Sequence, residues 1–236
     1  MSTVNLAIAE GPGLNLDDLR NSRGAIWLNV ASSHDVLPEY VNLDNGVFFR
    51  LDSLRPLVDR VLSPPHRETL RLYSEARRRS KVVMHDCRRP LPFAEGTVDH
   101  ILCSHFLEHV YPDEATVILR DFLKALVPGG TLHVIVPSVR KVVDDYLAKN
   151  PATAADGLMH DTFLSSPSRP SLRFRVLEML GFEGLKHRWM YDQASISERV
   201  ASSGFELTRL EDVPSSGYRQ EDGAVSAHVA ARKPLK

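Results

Sequence analysis

The regular alternation of short apolar runs with helical patterns constrains this chain most. Residues 26–31 form a nearly continuous apolar run, as a strand covered on both faces requires. Further strands are predicted at 40–44, 81–84, 98–103 and 131–136. Helical faces lie between them. Leu54, Leu57, Val58, Val61 and Leu62 recur at one-face spacing, and Ser63-Pro64-Pro65 ends that pattern because proline cannot continue a helix interior. Leu70, Tyr73 and Ala76 predict a second, weaker face. Pro112 opens a helix with Asp113 and Glu114 at its positive end, and Ala115, Ile118, Leu119, Phe122, Leu123 and Leu126 form its apolar stripe. Pro128-Gly129-Gly130 is expected to end it. More helices are predicted at 139–148, 171–181 and 193–202, the last closed by Gly204, and two closing strands at 205–210 and 224–230. Residues 150–170, rich in Pro and Ser, read as a loop. Strand–helix–strand alternation implies a parallel sheet with helices on both faces.

A chain of 236 residues suits one α/β domain with elaborations. Its expected parts are an extension at 1–24, a core at 25–137, a long lid insertion at 138–190, and a closing helix and strands at 191–236. Lys and Arg number 29 against 30 Asp and Glu, so bulk charge gives no argument for nucleic acid or an anionic membrane. Residues 50–89 hold ten Arg and one Lys against five carboxylates, but Arg77-Arg78-Arg79 suits a solvated helix end, and no aromatic side chains interleave there for base stacking. No nucleic-acid partner is expected. Two cysteines, Cys87 and Cys103, exclude a disulfide scaffold and a four-cysteine zinc site. The N-terminus lacks a basic region followed by an apolar run, and no 18-residue apolar window occurs, so neither signal peptide nor membrane span is expected. The default location is the cytoplasm.

Ligands of open parallel sheets bind at the carboxyl ends of the strands. Those ends carry Ala31-Ser32-Ser33, Asp44, Asp86-Cys87, Ser104-His105 and Pro137-Ser138. An acid at the end of the second strand is placed to accept hydrogen bonds from a ribose diol, and Asp86 to receive an adenine amino group.

Six motifs in order then carry a family resemblance: Trp27–Val30, Leu37–Asp44, Asp86–Phe93 with Val98-Asp99, Ser104–His109, Leu126–Gly130 and His187–Asp192. With them the sequence resembles class I S-adenosylmethionine-dependent methyltransferases, and most closely small bacterial ones associated with glycan synthesis. The resemblance implies a Rossmann-like sheet of about seven strands, the last antiparallel, with helices on both faces and a lid after the fifth strand. It implies S-adenosyl-L-methionine as cofactor, held by Asn29, Ala31, Ser32, Ser33, Asp44, Asp86, Cys87, Ser104 and His105. The first loop contains no glycine, whereas the family usually has one there for close backbone approach. The first two strands lie too close for a full crossover helix, so that helix should be vestigial.

Methyl transfer from a sulfonium needs in-line alignment, and a sugar hydroxyl needs its proton removed. Histidine suits that task near neutral pH. His109 is the first candidate base, followed by His105, His160 and His187, and all four are expected to face one cleft. Glu108, Trp189 and Tyr191 are the candidate acceptor-side residues. His100 and His133 sit inside strands and read as structural. Magnesium is an optional aid in holding two hydroxyls, with Glu108, Asp144, Asp145 and Asp161 available but no spacing that singles out a site. The expected activity is O-methylation of a sugar or oligosaccharide, in a chain that forms a homodimer by default. The alternatives are methylation of another small metabolite, or a non-catalytic fold kept for binding.

Overall fold

The computed structural model describes residues 15–46, 64–148, 151–164, 186–214 and 225–236. The expected helices at 54–62 and 171–181 lie outside them. Seven strands form one sheet: β1 (Trp27–Val30), β2 (Val41–Asp44), β3 (Val82–Met84), β4 (Val98–Ser104), β5 (Leu126–Pro137), β6 (Glu206–Thr208) and β7 (Ser226–Arg232). Their order is β3-β2-β1-β4-β5-β7-β6, with β7 antiparallel to both neighbours and the first five strands parallel. This is the Rossmann-like methyltransferase arrangement, including the antiparallel final strand. The order reverses between β1 and β4, which places a crevice at the carboxyl ends of these two strands.

Side-chain alternation divides the sheet's residues between two faces. Leu28, Val30, Ile101, Cys103, Leu132, Val134 and Val136 join the main core, against α3 (Pro112–Ala125) and α6 (Gln193–Ser202). The α3 stripe is buried as expected at Ala115, Ile118, Leu119 and Phe122. The intervening residues Leu102 and Ile135 pack instead with Tyr40, Trp27 and Leu37. No helix connects β1 to β2: residues 31–40 form turns and lie over this second face. Asn29 and Asn42 are buried there, and Asn29 Nδ2 donates to Asp35 O (3.0 Å) and Asn42 Oδ1 (2.9 Å). The vestigial crossover is therefore held down by amide hydrogen bonds where a helix would use apolar contact. The same face carries His100, which meets the edges of Trp27 and Tyr40 and bonds Thr131 Oγ1 at 2.8 Å. His133 faces His228 at 3.3 Å. His100 and His133 are structural, as the sequence suggests.

One expectation is extended and two need correction. Pro64 and Pro65 open the helix that carries the second face, α2 (Pro64–Arg79), because proline is tolerated in a first turn whose N–H groups lack partners anyway. Leu70, Tyr73 and Ala76 are its buried face. Pro128-Gly129-Gly130 lies within β5 as an irregularity: Val98 pairs with Leu126, but His100 already pairs with Thr131. The stretch 150–170 is not all loop, since α5 occupies Pro151–Asp161. It packs against α4 (Val139–Ala148), the first helix of the insertion.

The closing helix begins and ends as expected. Ser195 N donates to Asp192 Oδ1 (2.8 Å), and Gly204 follows the helix at φ +105°, where a Cβ would approach Leu123 Cδ2 to 2.9 Å. The first helix, α1, is a single turn at Leu16–Leu19. Among the described residues no helix is long and apolar enough to cross a membrane.

Candidate active site

The first part of the site lies at the carboxyl ends of β1 to β3. Ala31 and Ser33 both adopt left-handed backbone, at φ 54° and 51°. The loop thus takes the conformation that glycine would ease, with small side chains in its place. Asp44 closes it from β2: Ser33 N donates to Oδ2 at 2.8 Å and Gly46 N to Oδ1 at 2.5 Å. Burial raises the Asp44 carboxyl above its ordinary range, against the lowering effect of these two N–H groups and of His34. Tyr73 from α2 braces the loop through a 2.7 Å bond between its hydroxyl and Ser33 Oγ. Gly46 is required for this approach, since a Cβ there would lie 2.8 Å from Asp44 Oδ1. Tyr73 and Gly46 escaped the sequence reasoning. The glycine two residues after the acid was the available signal.

Other expected cofactor residues divide. Asn29 is committed to the second face of the sheet and does not present its amide to the crevice. Ser32 is buried, with its N–H bound to Leu43 O at 3.0 Å. Asp86 is engaged by Arg88, whose Nε and Nη2 donate to it at 2.9 and 3.0 Å. These bonds hold its carboxyl below the usual range although burial opposes them. Cys87 is buried against Leu43 O and His85 O, and burial pushes its thiol up. Ser104 ends β4 with its hydroxyl buried and without a hydrogen-bond partner among the described residues.

The second part grows from the residues after β4. His105 takes φ 52°, and its N–H is tied to Ile135 O at 2.9 Å. A short 3-10 turn, Leu107–His109, follows. It buries Leu107 in the core and directs Glu108 and His109 toward the segment 186–190. That segment is fixed by main-chain bonds: Arg188 N and Trp189 N both donate to Glu108 O, at 2.6 and 3.1 Å. His187 N donates to Phe163 O at 3.0 Å, tying the end of α5 to the same place.

Three histidines meet around one carboxylate here. Glu108 is 1% exposed, and neither of its oxygens accepts a hydrogen bond among the described residues. His105 Nδ1 stands 3.3 Å from Glu108 Oε1. The rings of His109 and His187 lie edge to face with centroids 5.1 Å apart. A carbonyl oxygen can only accept, so His109 Nδ1 donates to Lys186 O (3.1 Å) and His187 Nδ1 to Thr162 O (2.9 Å). Each neutral ring then keeps its lone pair on Nε2. Burial lowers the His187 pKa, while the Glu108 charge opposes that shift.

Of the four candidate histidines, His105, His109 and His187 come together around Glu108. His160 is 71% exposed beside Asp161, one ring further out, with Phe163 between it and His187. Trp189 is 47% exposed and free to meet a ligand. Tyr191 is 1% exposed, belongs to the main core under Arg199, and is not an acceptor-facing residue. Asp144 and Asp145 pair with Arg140 and Lys141 along α4, and among the described residues they join no cluster of metal-ligating side chains.

A family model described as a methyltransferase domain matches residues 61–134, just under a third of the chain and including Asp86 and Ser104–His109. The match lies within the sheet, from the segment before β3 to β5. Among solved structures, the chain is similar to a Pyrococcus horikoshii OT3 protein (13% identity, 91% of this chain and 82% of that one, TM-score 0.48). It is similar also to the magnesium protoporphyrin IX methyltransferase of Synechocystis PCC 6803 with bound SAH (11%, 92% and 76%, TM-score 0.43). A third is the S-adenosylmethionine-dependent methyltransferase SibL (16%, 89% and 50%, TM-score 0.43), of which this chain spans half the length. No curated protein matches the chain significantly.

Proposed function

We propose that the chain is an O-methyltransferase whose acceptor is a hydroxyl of a sugar or oligosaccharide. One observation carries the reading. A buried carboxylate just after β4, which accepts no hydrogen bond among the described residues, is ringed by His105, His109 and His187, and the half-exposed Trp189 is tied to the same residue by its main-chain N–H. The residues of the first half of the site fit S-adenosylmethionine: Asp44 offers carboxylate oxygens beside a small, left-handed loop, and Ser104 offers a buried hydroxyl that lacks a partner. When bound, that cofactor supplies an electrophilic methyl group. Asp44 would hold the ribose diol, and the backbone of 31–33 would receive the methionine part. Glu108 orients His105 through the Nδ1 contact, which leaves Nε2 of that ring, buried and without a hydrogen-bond partner among the described residues, to take the proton of an acceptor that reaches it. His109 is less suited to this task, because its ring is fixed against Lys186 O and turned toward His187. Trp189 offers an apolar wall on which a sugar ring can stack. The magnesium considered above is not part of this account, because imidazole-rich donors suit other metals.

The test is an acceptor screen by mass spectrometry, with saccharides and small apolar metabolites offered side by side. Methylation of saccharide hydroxyls supports the reading. Methylation confined to the apolar metabolites overturns it.

A further inference from the structure

We infer that Glu108, His109 and His187 form a binding site for one divalent transition-metal ion of the zinc class. One nitrogen of each ring and one Glu108 oxygen all lie within 4.8 Å of one another. Tetrahedral ligands at zinc bond lengths stand about 3.3 Å apart, so closure on an ion needs shifts of about 1 Å.

Three further features make this a ligand set. First, the carboxylate is 1% exposed and accepts no hydrogen bond among the described residues. Burying a carboxylate to which no group donates a hydrogen bond is costly, and a bound cation offsets that cost. Second, both imidazoles are already oriented as metal ligands are. Each donates Nδ1–H to a main-chain carbonyl, Lys186 O or Thr162 O, which fixes the tautomer and frees Nε2. Third, the ligands come from two segments, 107–109 and 186–190, that are joined by the Arg188 and Trp189 N–H bonds to Glu108 O. The backbone is thus set before any ion arrives. Two imidazoles and one carboxylate select zinc, cobalt, nickel or iron over magnesium, which prefers oxygen and water. Three protein ligands leave a tetrahedral ion one position for water or another oxygen.

Metal binding does not depend on the nature of the acceptor and is tested without activity. The purified full-length protein is stripped with a chelator, checked for folding by circular dichroism, and titrated with Co²⁺ by absorbance and with Zn²⁺ by calorimetry. The expected result is one equivalent bound, with visible cobalt bands of low-symmetry coordination, while calorimetry with S-adenosylhomocysteine stays unchanged. Glu108→Gln and His187→Ala should each weaken Zn²⁺ by more than the roughly 10–100-fold typical of losing an outer partner of a ligand. His160→Ala, on the exposed neighbour, should leave both stoichiometry and affinity unchanged. A folded, stripped protein that binds neither ion overturns the inference. So does Zn²⁺ binding that both ligand variants leave intact.

Discussion

Replacing Asp44 by Ala separates the two tasks of this carboxylate. In the structure it accepts Ser33 N at 2.8 Å and Gly46 N at 2.5 Å, so its loss strands two partly buried donors. Each such donor costs about 1–3 kcal/mol. Part of that is recovered, because burial raises the Asp44 carboxyl and its charge is held at a cost when ionised. The net expectation is a loss of about 2 kcal/mol in urea unfolding. Cofactor affinity should fall further, since two ribose hydroxyls lose a charged acceptor. At about 1.5 kcal/mol for each bond, S-adenosylhomocysteine should bind about 100-fold more weakly by calorimetry. Tyr73→Phe is the control. It removes the brace to Ser33 Oγ, leaves the carboxylate in place, and should cost about 1 kcal/mol of stability with less than a threefold change in affinity. If Asp44→Ala binds S-adenosylhomocysteine as tightly as the parent, the ribose role is refuted. If both variants weaken the ligand equally, Asp44 acts only by closing the loop.

Other predictions concern the second face of the sheet and the β4 turn. Burial first, then His228, lowers the His133 pKa from 6.5 to about 4. A depressed folded value means that this stability is present above pH 6.5 and is lost as pH falls toward 4. The loss between pH 7 and pH 5 is about 2 kcal/mol, which urea titrations of parent and His133→Gln should show as a flatter pH slope in the variant. Equal slopes would contradict it. His105→Ala should lower kcat by about 10²–10⁴-fold while S-adenosylhomocysteine affinity stays within threefold, and an unchanged kcat would move the base elsewhere. Ala31→Gly should raise stability by about 0.5 kcal/mol, because it relieves a left-handed alanine; a marked loss in urea unfolding would contradict the backbone assignment.

Much of the fold was legible because strands and helices here carry unmixed patterns. The α3 stripe and the run through β1 each follow one period, and the pairing of the acid-ended β2 with a short crossover follows from spacing. The second face was less legible. Its polar residues are placed by partners that periodicity does not record: Asn29 and Asn42 bond each other and the turns between their strands, His100 Nδ1 meets Thr131 Oγ1, and His133 meets His228. Helix α5 was hidden by its surroundings: the Ser and Pro residues of the stretch 150–170 cluster at its end, whereas 151–161 begins with a proline and is rich in alanine, both favourable to a helix. Pro128-Gly129-Gly130 carried a turn signal that the strand absorbs as an irregularity in its register. At the site, Ser104 to His109 are consecutive and were found together. The meeting of His187 with Glu108 depends on main-chain bonds between separate segments, and only the family resemblance drew attention to that histidine. Tyr191 lies in the same motif, yet its side chain alternates into the core. A motif gives membership of a segment, and the register of that segment decides which side chain meets the ligand.

Binding of S-adenosylhomocysteine to the full-length protein tests the central claim most directly. Isothermal calorimetry should give one site per chain, lost or strongly weakened in Asp44→Ala and retained in His105→Ala. No heat of binding at millimolar ligand, with a folded protein, would contradict the assignment of a cofactor-dependent methyltransferase.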